Sequence, residues 1–180
     1  MEEEQEYNNV IAVMNDFANE FVERYRQELK SRGHEASGQL INNMTWHRRT
    51  TTATLNIDLE IADYFYYIEN GRGPTKNGNN GGPTVHEKIV DWLQQKGITP
   101  HNEKNLPTEK ALDSFAWAIT KRIHKEGTSI YRKGGEHIIE NLVKELTDKY
   151  KPLLDAALEK DFEEFYAIKI LTKINRMIKI

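Results

Sequence analysis

The sequence predicts an α+β fold, in which a long N-terminal helix and several later helices pack against a small antiparallel β-hairpin. Apolar residues recur at helical spacing in four segments, residues 7–30, 84–96, 108–126 and 135 onward. Residues 43–59 instead alternate apolar and polar side chains and are rich in threonine, as in half-buried strands. Together these patterns predict a single domain over residues 1–158 and a C-terminal arm over residues 159–180.

Composition excludes several functional classes. The 180-residue chain is 38% hydrophobic and 29% charged, which is typical of a globular protein. Its net charge of −3 argues against a protein that wraps nucleic acid through bulk positive charge. The absence of cysteine excludes disulfides, thiol catalysis and cysteine-based zinc sites. The acidic start Met1–Glu6 is unlike a signal peptide, and no apolar run reaches membrane-spanning length, so we expect an intracellular protein without membrane association.

The N-terminal half contains the long helix and the hairpin. Residues 7–30 form the helix and Gly33 ends it. Two strands, about 43–49 and 52–59, are joined by a tight turn near Arg49 to Thr51, and Trp46 is expected in the core of this sheet. The predicted inward face of the helix consists of Val10, Ile11, Met14, Phe17, Phe21, Val22, Tyr25 and Leu29.

The next helices are delimited by turn residues. Residues 60–70 form a short helix capped by Gly71, and the Gly/Asn-rich loop Gly71–Pro83 is expected to be mobile. Helix 84–96 has Thr84 as its N-cap and Gly97 as its C-terminal stop. In helix 108–126 the predicted inward residues are Ala111, Leu112, Phe115, Ala118, Ile119, Arg122 (stem only) and Ile123.

The C-terminal helix begins at residue 135. Its expected buried residues are Ile138, Ile139, Leu142, Val143 and Leu146. Pro152 is expected to kink or end it, because proline lacks the N–H that a helix interior requires. The apolar pattern of the tail Ala167–Ile180 fits a helix about as well as a strand, so its secondary structure stays open.

No catalytic or metal-binding constellation emerges from the sequence. His86-Glu87 begins like a zinc-protease helix, but Val90 occupies the position of the second ligand. Gly71 to Lys76 is superficially like a phosphate loop, yet Pro74 removes one of the amides that such a loop needs. We therefore predict that the protein is not an enzyme and that it has no cofactor and no metal.

Basic residues indicate a second, more weakly supported function. Arg48 and Arg49 at the hairpin, with the basic tail, form a candidate DNA-facing set. Solvation of a hairpin tip and a terminus is the favoured explanation of these charges, and they can also meet the acidic N-terminus of a neighbouring copy. The alternative function is a cytoplasmic nucleic-acid-binding accessory protein.

The segment from Ala62 to Pro74 is the most unusual in the chain. It combines four aromatic residues with an acid and a Gly-Arg-Gly-Pro turn. Aromatic residues around the whole circumference of a short helix indicate contact with a partner as well as with the core. The candidate subunit interface comprises Trp46, Tyr64, Phe65, Tyr66, Tyr67, Glu69 and Arg72.

Three segments in order carry a family resemblance over roughly residues 8–146. They are Tyr64 through Ile68-Glu69-Asn70-Gly71-Arg72-Gly73-Pro74, then His86 to Leu93 with Lys96-Gly97-Ile98, then Phe115 to Ile119 with Ile123-His124-Lys125-Glu126-Gly127-Thr128. This succession resembles the neck, tail-completion and minor tail proteins of tailed bacteriophages. The chain departs from that pattern in its longer loop after Gly73 and in Ser129 to Gly134, where the family has an aromatic and proline-containing stretch.

The resemblance implies a structural, non-enzymatic component of the virion. It implies an α+β subunit that forms a head–tail connector ring around the DNA channel, joins portal to tail and lets double-stranded DNA pass without sequence specificity during genome ejection. The portal side favours a dodecamer, with a hexamer as the alternative. Assembly would take place in the host cytoplasm, and the partners would be the portal and other neck or tail proteins.

The C-terminal tail is a second candidate interaction segment. It holds more apolar surface than an idle terminus needs, so we expect it to dock on its own domain or on an adjacent protein. The residues concerned are Ile168, Ile170, Leu171, Ile174, Met177 and Ile178.

Overall fold

The computed structural model describes residues 7–34, 38–51, 54–62, 64–76, 84–100 and 108–178. It is mostly helical, with one two-stranded antiparallel sheet, which confirms the predicted α+β class and the long N-terminal helix. The elements are α1 (Asn8–Ser31), α2 (Gln39–Asn42), β1 (Thr45–Thr50), β2 (Leu55–Glu60), α3 (Phe65–Asn70), α4 (Val85–Gln95), α5 (Thr108–Glu126), α6 (Ser129–Arg132) and α7 (Ile138–Ile178). The predicted loop segments at 77–83 and 101–107 lie outside the described residues.

The chain divides into two compact units. The first comprises Met1–Gln27, Thr45–Glu60 and Ile139–Ile180. The second comprises Glu28–Met44 and Ile61–Ile138. The sequence predicts one domain over 1–158 and an arm over 159–180, and α7 runs without interruption through the position of that boundary.

The first unit is built around α1, the hairpin and α7. Phe17, on the inner face of α1, meets Tyr150 of α7 edge to face, with ring centroids 5.5 Å apart. On the rim, Arg24 makes two hydrogen bonds to the Glu145 carboxylate, at 2.9 and 2.7 Å. The buried apolar residues of this unit are Ala18, Phe21, Val22, Tyr25, Leu142, Leu146, Tyr150 and Ala157.

The hairpin lies slightly later in the sequence than predicted. In the observed register Trp46 faces Leu59 and Thr50 faces Leu55. The turn therefore falls after Thr50 rather than at Arg49 to Thr51, and the backbone N–H of Thr51 donates to the Thr54 carbonyl at 2.8 Å. Trp46 is only half-buried.

Pro152 does not end the C-terminal helix, so that part of the expectation is wrong. α7 is a 41-residue helix with Pro152 in its interior. Tyr150 before the proline and Ala157 after it are both buried, so packing on both sides holds the helix where one backbone hydrogen bond is missing. The tail, left open between helix and strand, is helical through Ile178.

The second unit contains α2 to α6. Thr84 caps α4 as predicted, in a capping box with Glu87, and Gly97 follows the helix with a φ of 63°. α5 has the predicted bounds, but its inward face was wrongly assigned. Phe115 and Ala118 are exposed, whereas Ala116 and Thr120 are buried beside the correctly predicted Ala111 and Ile123. The short α6 was not predicted.

Within the part of the chain that the structure covers, none of the helices combines the length and apolar character needed to cross a bilayer.

Candidate functional site

The two turns that carry much of the family resemblance contact each other in the second unit. The backbone N–H of Thr128 donates to the Arg72 carbonyl at 2.8 Å. In return, the Arg72 N–H donates to the Thr128 hydroxyl at 2.9 Å. A further bond joins the Thr75 N–H to the His124 carbonyl at 3.1 Å. The Gly-Arg-Gly-Pro segment is thus held along the end of α5 by main-chain bonds.

Glycine is required at this crossing for two reasons. Gly71 and Gly127 have φ values of 71° and 78°, in the left-handed region that other residues rarely occupy. A Cβ atom at Gly127 would also lie 2.7 Å from the Arg72 carbonyl oxygen, which is closer than real side chains approach. The two turns meet this closely because both lack side chains there.

Glu69 lies inside the unit instead of on its surface. Only 7% of the residue is exposed, and its Oε2 accepts a hydrogen bond from the Ile138 N–H at 2.8 Å. Its carbonyl accepts another from the Glu136 N–H at 2.6 Å. Because the first N–H groups of a helix have no partner within it, Glu69 caps the N-terminus of α7. In the isolated chain this predicted interface residue is therefore an internal cap.

Arg72, another predicted interface residue, is half-buried. Its Nη2 donates to the Thr75 hydroxyl at 2.9 Å, and that hydroxyl lies 2.6 Å from Nδ1 of His124. The guanidinium therefore joins the Gly-Arg-Gly-Pro turn to the last turn of α5. No sequence signal links Arg72 to His124, because their contact depends on how the chain folds back.

The aromatic residues of α3 divide into inner and outer sets. Tyr64 and Phe65 are half-buried, whereas Tyr66 is 57% exposed and Tyr67 is 55% exposed. The two exposed rings meet edge to face with centroids 6.0 Å apart. Trp46 belongs to the other unit, where its indole N–H donates to Asn19 at 3.0 Å. The structure thus places Tyr66 and Tyr67 where a partner can reach them.

Many exposed apolar side chains lie along α7 from Leu153 onward. Side chains on this part of the helix are between about two-fifths and three-fifths exposed, and they are Leu153, Leu158, Phe162, Tyr166, Ile168, Ile170, Leu171, Ile174 and Met177. The set includes five of the predicted docking residues, and the Ile178 side chain lies outside the described part. Sequence reasoning missed Leu158, Phe162 and Tyr166. Their four-residue spacing, continued by Ile170 and Ile174, was the signal that could have found them.

The candidate DNA-facing arginines have partners within the first unit. Arg49 forms an ion pair with Asp58 on the facing strand, and its Nη2 donates to Oδ1 at 2.9 Å. The hydrogen bond from Arg49 lowers the pKa of the Asp58 carboxyl. Arg48 reaches Asn15 of α1 at 3.5 Å. Both arginines are nevertheless exposed to solvent.

Among the described residues, no group of three or more His, Cys, Asp or Glu side chains is placed to hold a metal ion. His86, the start of the rejected zinc motif, stacks on Trp117 with ring centroids 4.2 Å apart. Its Nε2 lies 3.1 Å from Oδ1 of Asp113, so it links α4 to α5.

Comparison with known proteins identifies no relative. No protein-family model matches the chain, and neither a curated protein nor a solved structure is significantly similar to it.

Proposed function

We propose that this chain is a structural component of a tailed-phage virion, forming a ring in the neck around the DNA channel and joining the portal to the tail. The observation that carries the proposal is the exposed apolar face on the C-terminal half of α7. Contiguous apolar surface of this kind is unfavourable in water and marks a site of association.

The aromatic segment supports the same role. Tyr66 and Tyr67 are exposed on α3, and the turn that follows α3 is fixed by the bonds between Arg72 and Thr128. Rigid aromatic side chains are effective interface anchors because they bury a large area at little cost in conformational entropy. Two of the three segments that resemble the phage family are thus hydrogen-bonded to each other, beside two exposed rings.

A ring also suits the shape of α7 and the charge of the chain. A helix of 41 residues is about 60 Å long, which is enough to reach a neighbouring subunit. The net charge of −3 suits a channel through which DNA must slide, because a dense Lys/Arg lining would retain phosphates. Twelve copies are favoured by the resemblance to portal-side proteins, and six copies are the alternative.

Electron microscopy of the purified chain, alone and with its portal, tests this function. With the portal present, we expect closed rings that stack on it and have a central channel. A chain that forms no ring with any neck partner, yet binds DNA with a steep dependence on salt, would support the nucleic-acid-binding alternative instead.

Truncation tests the role of the tail. Deleting residues 167–180 should leave a folded subunit that fails to join the neck, because the docking surface is lost. The double variant Ile170→Ser, Ile174→Ser keeps the helix length and should fail in the same way. Normal assembly of the truncated chain with reduced stability would show that the tail belongs to the subunit core.

A further inference from the structure

One face of the exposed part of α7 has two parallel ridges with a shallow groove between them. Each ridge has a four-residue spacing, and together they line the groove as Leu158, Phe162, Tyr166 and Ile170 on one side and Asp155, Glu159, Glu163 and Ala167 on the other. The first ridge is apolar, and Ile174 extends it by one more turn. The second is mainly acidic. The groove therefore suits a helix that presents apolar and basic side chains.

α7 itself carries basic and apolar side chains further along, after the acidic ridge. Residues 155–164 hold five acids and one base, Lys160, whereas residues 165–178 hold Lys169, Lys173 and Arg176 and no acid. The exposed half of α7 is thus acidic first and basic afterwards, with apolar side chains along both parts. A surface of this kind is complementary to its own reversed copy.

We infer that, in the purified chain, this face binds the same face of a second copy in antiparallel orientation, with the two-fold axis at Tyr166. Phe162 then lies opposite Ile170 of the second copy, one turn to either side of the axis. Glu159 and Lys173 are equally distant from Tyr166 along the helix, so they also meet across the pair. The contact is isologous and closes on two copies.

Charge favours this arrangement over a parallel one. A parallel pair would place the acidic ridge of one copy beside that of the other, which destabilises association. The antiparallel pair places acidic residues beside basic ones and covers apolar surface on both helices.

This inference holds whether or not the chain is a virion component. If it is one, the closed pair covers the docking face in the free subunit until a neighbour replaces the second copy. Dimer formation and ring formation are measured separately, so failure of either does not imply failure of the other.

Site-specific cross-linking locates the axis. The chain has no cysteine, so Tyr166→Cys introduces a single thiol at the predicted two-fold axis. Mild oxidation should convert most of this variant to a covalent dimer, since disulfides form where Cα atoms approach within about 7 Å. The matched control is Leu153→Cys, on the same helix and 48% exposed. In the antiparallel pair its two copies are roughly 40 Å apart, so it should cross-link little.

Charge exchange tests the complementarity. By sedimentation velocity, the wild-type chain should show a concentration-dependent dimer. Glu159→Lys with Glu163→Lys should be monomeric, and so should Lys169→Glu with Lys173→Glu. A mixture of the two variants should dimerise again. Lys121→Glu with Lys125→Glu, exposed on α5, is the matched control and should leave the dimer unchanged.

Three results would overturn the inference. They are a wild-type chain that stays monomeric at every concentration, equal cross-linking of the two cysteine variants, and two charge variants that do not associate when mixed. Far-UV circular dichroism and thermal unfolding of each variant confirm that it is folded before its association is measured.

Discussion

Asp161, near the middle of the C-terminal helix, caps the N-terminus of the first helix through Val10, 151 residues earlier in the sequence. Its Oδ2 accepts a hydrogen bond from the Val10 N–H at 2.9 Å, and its Oδ1 accepts another from the Asn9 N–H at 3.0 Å. The residue is only 3% exposed. Burial by itself would raise the pKa of Asp161, but the bonds from Val10 and Asn9 outweigh it and the pKa is lowered.

Replacing Asp161 should destabilise the first unit. Asp161→Ala leaves two helix N–H groups without their acceptor, so we expect a loss of about 1–3 kcal/mol in the free energy of unfolding. Urea unfolding followed by circular dichroism measures the loss. Asp148→Asn, exposed on the same helix, is the control and should change stability little. Equal losses in the two variants would show that the cap contributes nothing specific.

Acid should remove the contribution that the Asp161 cap makes to the free energy of unfolding. The pKa of Asp161 is lower in the folded protein than its ordinary value of 3.8. The unfolded chain therefore takes up the proton first, and the contribution is complete above that ordinary value. It is lost as the pH falls through the folded pKa. Urea unfolding at pH 7, 5 and 3 should show a smaller decrease for Asp161→Asn than for the wild type, and parallel curves would contradict this prediction.

Alkaline pH should destabilise the folded protein through Tyr150. Burial and a 2.7 Å hydrogen bond to Glu20 raise the pKa of Tyr150 from 10.0 to about 12. A raised pKa means that the folded state holds the proton more tightly than the unfolded chain does. The contribution of protonated Tyr150 to stability is therefore complete below pH 10 and is lost towards pH 12. Tyr150→Phe should therefore lose less stability over that range than the wild type. Spectrophotometric titration of the phenol at 295 nm gives an independent check.

Substitutions at Gly127 and Gly97 separate the cost of disturbing the turn contact from the cost of backbone strain alone. Both have positive φ, but a Cβ at Gly127 would clash with the Arg72 carbonyl, whereas nothing lies within 4 Å of one at Gly97. Gly97→Ala should cost about 1 kcal/mol of stability through backbone strain alone. Gly127→Ala should cost about 2–4 kcal/mol, because the two turns must also move apart. Thermal unfolding tests this ranking, which similar losses would contradict.

The exposed tyrosines should matter more for assembly than for folding. Tyr66→Ala and Tyr67→Ala remove rings that are more than half exposed, so the isolated subunit should keep its unfolding temperature within a few degrees. Ring formation, measured by mass photometry, should weaken markedly if these rings anchor a subunit contact. Lys133→Ala, also exposed, is the control. A large loss of thermal stability would instead assign the rings to the core.

Local sequence determined the class of the fold and many of its boundaries. Helical spacing located α1 and α5, the Thr84 to Glu87 capping box located α4, and alternation located the hairpin to within a few residues. These signals act between residues close together in the chain, so they can be recognised without the tertiary structure. The same spacing on α7 showed that the tail has an apolar surface.

The tertiary structure decided where the chain folds back on itself. Glu69 caps α7 and Asp161 caps α1, and neither carboxylate has a local pattern that reveals its distant partner. Burial on both sides of Pro152 likewise let the helix continue where local propensity predicted a kink or an end. Hydrogen bonds and packing between residues far apart in sequence depend on the whole fold, which is why local pattern did not show them.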